Sequence, residues 1–455
     1  MSELASTICT LFLAAPLGAQ VLTVGPPGTG ADFTDIQPAI DAAPGGATLI
    51  LLPGSYSLFV LDKAVDVLGP GPELATVAAT AADTSAVSVR DLAAGATVVV
   101  AGFTAVGGAS TCEASFFTTG MCVPFIEVDG CLGRVILQEL VAESTQTPGP
   151  SGPPMRVTDS QDVHVYACQL EGEGHSGSTY PTVGLEVESS GLRLVDSSVR
   201  GGSGIHDAAP NTGDVGLLLI ASSLELVRSS VLGGDGGSSS ALGGFSGSAA
   251  PGLAAIFAEA STLRLLGGPG SLIQAGANAC WSTGHCWDGT AALMLVAGSH
   301  ATWTSAQALQ GGEPSCSSSF GCPGFLAGPP FASDSSSVVV ENATSYPSLG
   351  SQAAGVAPGD PIQIDIDGEP GALVTLYWSP QLGPSLSLPG IDGEVVLDLG
   401  SVSQLGSHVL DPAGAAVQQV STPPIPALVG LTAHLQGLQL GSHVGVSTPW
   451  LVFLR

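Results

Sequence analysis

GLEVESSGLRLVDSSVRGG, residues 184–202, is followed after a short interval by GLLLIASSLELVRSSVLGG, residues 216–234. The two stretches align without a gap at an offset of 32 and share 11 of 19 positions. Self-similarity at a fixed period marks a solenoid, in which each repeat buries its apolar face against the next. Both copies alternate apolar and polar residues: Leu192, Leu194 and Val199 match Leu224, Leu226 and Val231. A period of two belongs to a half-buried strand, not to a helix. The same frame fits residues 155–173, with Val163, Val165, Cys168 and Leu170 inward, and residues 127–145, with Val135, Leu137 and Leu140. It fits 255–273 more loosely, with Leu263 and Leu265. The connections 174–183, 203–215 and 235–254 differ in length and consist mostly of Gly, Ser and small polar residues. A rung of constant length with variable loops on one side describes a parallel β-helix. A βαβ sheet would need amphipathic crossover helices, and these connections contain none.

The start of the chain fits the same architecture. Residues 30–71 hold one helix pattern, with Thr34 and Gln37 spaced as a capping box, Ile36 and Ile40 on one face, and Gly45 and Gly46 as the stop. Strands are expected around Leu49–Leu52, Phe59–Leu61 and Ala64–Leu68. A short amphipathic helix can plug the open end of a solenoid. Through Asp32, Phe33, Ile36, Gln37, Ala39, Ile40, Pro53, Gly54, Tyr56 and Gly69, this segment resembles the N-terminal cap and first rung of right-handed parallel β-helix proteins of the pectate lyase and pectin methylesterase type. The resemblance implies an all-β right-handed parallel β-helix over residues 21–345 and a leaning towards carbohydrate. Fold alone does not imply catalysis. The resembled lyases need an Arg or Lys base with calcium-binding carboxylates, the esterases two Asp and an Arg, and the polygalacturonases three Asp. Gln161-Asp162, Asn211–Asp214 and the single lysine, Lys63, complete none of these sets.

Composition bounds the partners. Lys and Arg number 9 against 38 Asp and Glu, a net charge of −29. That field repels nucleic acid and anionic membrane surfaces, and polyuronates too unless calcium bridges them. Residues 1–19 look like a secretory signal peptide, with an apolar core from Ile8 to Ala15 and Ala19 as a small cleavage residue, although Glu3 stands where a basic residue is usual. Removing it takes Cys9 and leaves eight cysteines. Cys112–Cys122, Cys280–Cys286 and Cys316–Cys322 are close pairs in loop-like sequence, and Cys131 and Cys168 remain as a weaker fourth pair. Disulfides suit an exported chain. The rival, a zinc cluster of Cys280, His285, Cys286, Cys316 and Cys322, has wider spacing than zinc knuckles use.

The style changes near residues 347–350. Residues 351–455 carry short alternating strands, Pro361–Ile366, Ala372–Trp378, Glu394–Leu399, Leu428–Leu435 and Trp450–Leu454, which read as a β-sandwich. Residues 426–438, PALVGLTAHLQGL, resemble a C-terminal module found on many secreted bacterial proteins. Asp365, Asp367 and Glu369 lie close together as in a calcium loop, the only cofactor the chain suggests.

Repeat alignment stacks His164, Arg193, Glu225 and Arg264 in one outward column, with Asp196 beside Arg228 and Glu171 beside Arg200. Opposite charges on adjacent strands stabilise a sheet by about 0.2–1 kcal/mol each. The functional reading of the same column is a strip that binds a sugar polymer, with His164 as base. Trp281, Trp287 and Trp303 are sugar-stacking candidates or core residues. The sequence thus describes a secreted or cell-surface protein, non-catalytic, that binds or spaces a polysaccharide or surface glycan. The alternative is a divergent polysaccharide lyase or glycoside hydrolase acting in an outward cleft.

Overall fold

The computed structural model describes residues 20–79, 84–108, 122–144, 152–174, 182–204, 212–237, 251–268, 271–278, 288–304, 307–313, 326–342, 347–351, 355–380, 382–391, 393–422, 424, 432–447 and 450–454. Residues 1–19, Cys112, Cys280, Cys286, Cys316, Cys322, Trp281 and Trp287 lie outside them.

Parallel pairing dominates to residue 342. Nine strands stack as one sheet: Phe59–Leu61, Val87–Arg90, Ile126–Asp129, Met155–Thr158, Leu185–Glu188, Leu217–Ile220, Ile256–Glu259, Leu293–Val296 and Phe331–Ser333. An eighteen-stranded sheet forms two further parallel series. One includes Asp162–Tyr166, Gly191–Val195, Ser223–Val227, Thr262–Leu266 and His300–Thr304. The other includes Gln169–Glu171, Ser198–Arg200, Ser230–Leu232 and Leu272–Gln274. The series meet in Thr97–Gly107 and Arg134–Ser144, which run through both. Each turn therefore crosses three faces of a parallel β-helix, and the nine-stranded sheet is the first. The 32-residue offset is the register itself: Leu192 faces Leu224, Leu194 faces Leu226, and Val199 faces Val231. These residues, with Val163, Val165, Leu170, Leu263 and Leu265, lie in one continuous buried core.

In the central turns two corners are made by one device. A non-glycine residue with positive φ (Asp159, Ser189, Ala221 and Ala260 at the first corner, φ 47–52°) bends the chain out of the first face. A serine follows. Its hydroxyl donates to the carbonyl two residues back, at 2.6–2.8 Å for Ser160, Ser190, Ser222 and Ser261. The same oxygen accepts the backbone N–H of its counterpart one turn earlier. Cys131, Ser160, Ser190, Ser222, Ser261, Ser299 and Ser337 form such a ladder, with steps of 3.0–3.2 Å. A shorter ladder, Cys168–Ser197–Ser229, follows Ala167, Asp196 and Arg228 at the second corner.

The ladders also correct the expected fourth disulfide. Cys131 and Cys168 are free and buried. Each occupies the serine position of a different corner, so they belong to separate columns. Burial, the leading cause in both, raises the Cys131 thiol and pushes Cys168 up to about 12. Cys122 is disulfide-bonded, while its expected partner Cys112 lies outside the described residues.

The capping helix spans Ile36–Ala42 and buries Ile36, Ala39 and Ile40. Its N-cap is Asp35, which accepts the Ile36 N–H, and not the expected Thr34. Gln37 instead reaches Asp41 and the Val60 N–H. The helix ends at Ala43, ahead of Gly45, and Lys63 donates to the Ala43 carbonyl at 2.8 Å. A cation there suits the negative end of the helix dipole. No described helix is long and apolar enough to cross a membrane.

From Ser348 onward pairing is mainly antiparallel, in sheets of three, six and two strands. Strands Ser403–Val409 and Ala415–Ser421 add to those expected from sequence. This module packs on the outside of the second face. Leu68, Ile136, Tyr166, Val195, Val227 and Leu266 form one buried cluster with Leu349, Ile364, Ile366, Trp378 and Leu435.

Ser222→Ala should cost about 1–3 kcal/mol, because it strands the buried Ser190 N–H, measured by denaturant unfolding against Ser223→Ala. Asp66 provides a pH test. Burial raises its carboxyl to about 7 despite the Val99 N–H it accepts. A raised folded value gives stability that is full below the unfolded value near 3.9 and lost as pH rises through 7. Asp66→Asn, which keeps an acceptor for Val99, should remove that loss, so unfolding curves of the two proteins should diverge between pH 5 and 8.

Candidate functional site

The charged column forms with the expected register: His164 faces Arg193, Arg193 faces Glu225, and Glu225 faces Arg264. Arg193 Nε lies 2.8 Å and Arg264 Nη1 3.5 Å from Glu225 carboxylate oxygens. Asp196 pairs with Arg228, and Arg200 lies 3.9 Å from Glu171 and 3.4 Å from Asp235. Every arginine among the described residues is ion-paired.

The column does not lie open. His164 is 1% exposed, and the side chains of Arg193 and Glu225 keep 18% and 16% of their surface. His164 is hydrogen-bonded to Asp162 at 2.5 Å and to Tyr166 Oη at 3.0 Å. Burial alone would raise the Asp162 carboxyl, but the His164 bond and the charges of His164 and Arg134 hold it well below the usual range. Burial lowers His164 and raises Tyr166. The cover is the C-terminal module, whose His434 is buried within electrostatic reach of Arg134 and His164. Trp303 packs against the solenoid core beside Leu265.

The three carboxylates of the expected calcium loop have separate partners. Asp367 lies 3.0 Å from Arg228, Asp365 accepts from Gln363, and Glu369 accepts the Ser442 N–H. Among the described residues, no group of three or more His, Cys, Asp or Glu side chains comes together as a cation site.

An open site lies on the first face, away from the charged column. A cleft of about 320 Å³ is lined by Leu58, Val60, Thr84, Ser85, Ser88, Arg90, Cys122, Val123, Pro124, Glu127 and Arg156. Its polar floor is one column of the nine-stranded sheet: Ser88 faces Glu127, Glu127 faces Arg156, and Arg156 faces Glu186. Glu127 accepts from Ser88 at 3.0 Å and pairs with Arg90, and Arg156 Nε donates to Glu186 at 2.7 Å. Ser85 Oγ is buried without a hydrogen-bond partner. Beyond Glu186 the column turns apolar, through Leu218, Phe257 and Met294, all partly exposed. Beside Glu186, Asp214 is raised to about 7, first by burial and then by the Glu186 charge. The signal was present in the strand texts VSVR, IEVD, MRVT and LEVE, each apolar at its first and third residue and polar at the second.

Fold and cleft together define a class: this chain is a parallel β-helix protein with an antiparallel β module docked on its second face. No protein-family model matches the chain, and no curated protein matches it. Among solved structures, a pectin methylesterase from Aspergillus niger is 13% identical, with a TM-score of 0.26 over 72% of this chain and 87% of that one. Tailspike protein 2 of an Escherichia coli O157:H7 bacteriophage is 8% identical, with a TM-score of 0.33 over 93% of this chain and 65% of that one. Neither likeness is close enough to carry an argument, and the class rests on the register of this chain's own strands.

Arg193→Ala should cost about 1.5–3 kcal/mol, the range for a hydrogen bond to a charged group, and not the 0–1 kcal/mol of an exposed pair. Denaturant unfolding of Arg193→Ala beside Arg200→Ala, an open pair, measures the difference.

Proposed function

We propose that this chain is an extracellular protein that binds a polysaccharide along the outside of its first face without cleaving it. The observation that carries the reading is the lining of the cleft. A sugar ring offers hydroxyls, which need donors and acceptors together, and C–H faces, which need apolar walls. The cleft supplies donors from Arg90 and Arg156, an acceptor in Glu127, hydroxyls of Thr84, Ser85 and Ser88, and walls from Leu58, Val60, Val123 and Pro124. Its column continues over Leu218, Phe257 and Met294. Strands repeat about every 4.8 Å, so a linear polymer lying across them meets a regular set of contacts. The net charge of −29 favours a neutral glycan over a polyuronate. The signal-like residues 1–19 and the disulfide at Cys122 support export.

Hydrolysis by carboxylates needs two of them flanking the scissile bond. Among the described residues lining the cleft, Glu127 is the one carboxylate, and it is engaged by Arg90. The rival reading, a divergent glycoside hydrolase, draws on Asp214. Its carboxyl is raised to about 7, first by burial, as that of a general acid is.

A panel of neutral and acidic polysaccharides, read by affinity electrophoresis and calorimetry, tests the proposal. Arg156→Ala and Glu127→Gln should each weaken binding of the retained glycan at least tenfold. Arg264→Ala, on the second face, should leave binding unchanged. Release of reducing ends, abolished by Asp214→Asn, would replace the binding reading with the hydrolytic one.

A further inference from the structure

The contact between the second face and the C-terminal module buries charge on both sides. From the module, His434 on Thr432–Leu440 is enclosed, and Arg134 and His164 of the solenoid bear on it. Its neighbours on its own sheet, Ser379 and Leu451, carry no charge. From the solenoid, His164 is enclosed with Asp162, Tyr166 and Arg193 around it. Gln138, on the same face opposite Tyr166, is wholly buried with neither amide atom hydrogen-bonded. At the other end of the contact, Arg228 holds Asp196, Asp367 and the Leu349 carbonyl. Such a closure suits neutral imidazoles. Two imidazolium ions beside Arg134 and Arg193, answered by Asp162 and Glu225, would place excess positive charge in a dry contact, where charge is costly.

We propose that the C-terminal module docks on the solenoid reversibly, and that protonation of His434 and His164 releases it and bares the His164–Arg193–Glu225–Arg264 column. The sign follows from proton uptake. Burial first, then Arg134 and His164, hold docked His434 down at about 3, whereas a released imidazole titrates near 6.5. Released protein therefore binds a proton that docked protein does not. Docking is at full strength above pH 6.5 and weakens as pH falls towards 3. His164 acts in the same direction, since burial, Arg193 and Arg134 outweigh Asp162. Asp196 opposes it: burial, partly offset by Arg228 and reinforced by Asp367 and Asp365, raises its docked carboxyl. That opposition enters as pH approaches the carboxylate range. Each histidine changes the docking constant by up to about tenfold per pH unit.

Val227→Cys, in the buried cluster of the contact, reports release when an aromatic disulfide that reacts at acid pH traps the new thiol in the full-length protein. Peptide mass spectrometry isolates that site, and Cys131 and Cys168, deep in the core, report any unfolding of the solenoid itself. After correction for intrinsic thiol reactivity, trapping should accelerate roughly ten- to hundredfold from pH 6 to pH 5, with Cys131 and Cys168 unlabelled. His434→Gln should lower that slope by about tenfold per unit, and so should His434→Phe, which fills the contact without a charge. A wild-type rate that is flat or falls on acidification, a slope unchanged in both variants, or labelling of Cys131 in step with the contact cysteine would overturn the proposal.

Discussion

From residue 131 to residue 337 the solenoid hangs on a hydroxyl that is donor and acceptor at once. At each of the first two corners the backbone leaves the extended region, and an N–H that would have joined the strand ladder turns inward. Left unpaired and buried it would cost about 1–3 kcal/mol. Ser190, Ser222 and Ser261 satisfy it from the next turn while spending their own proton on a carbonyl two residues back. The bend is made by residues such as Ala221, Arg228 and Asp196 at positive φ, a conformation that costs an L-residue about 1–2 kcal/mol. It persists because the stacked strands on either side of the corner leave the chain no other path.

Register fixed at the corners decides the fate of charge. With −29 overall, a few arginines must be set against many carboxylates, and stacking places them one strand apart. Arg134 meets Asp162, Arg156 meets Glu186, and Arg193 meets Glu225 by the same geometry. Their surroundings then separate them. On the first face the pairs floor an open cleft. On the second the module closes over them, so similar residues line an open cleft in one place and a closed contact in the other.

Local repetition was legible, and encounters between distant segments were not. The offset between residues 184–202 and 216–234 gave the register, the core positions and the charged column, because neighbouring rungs copy one another. The cleft needed the second letter of four strands to be read together across roughly a hundred residues. Arg228 and Asp367 stand 139 positions apart, and no periodicity links them, so Asp367 looked available to calcium and the column looked exposed. Cys131 and Cys168 look like a leftover pair in the sequence, yet each stands where other turns place serine. Thr34 matched a capping pattern, but Asp35 was one residue closer to the first free N–H.

The third corner has no such ladder among the described residues, and the number of residues from Glu171 to Leu185, from Arg200 to Leu217 and from Leu232 to Ile256 differs from turn to turn. Lengthening a loop whose ends are already held costs only with the logarithm of its length. The first corner is held more closely: Ala260 alone precedes Ser261 and Ala297 and Gly298 precede Ser299, yet Ser261 N–H still reaches Ser299. Variation in length is therefore greatest on one edge of this rod, while the serine ladder keeps the first corner in line. A peptide epitope spliced into that edge would be presented on a rigid support, once per turn, at a spacing set by the strands beneath it.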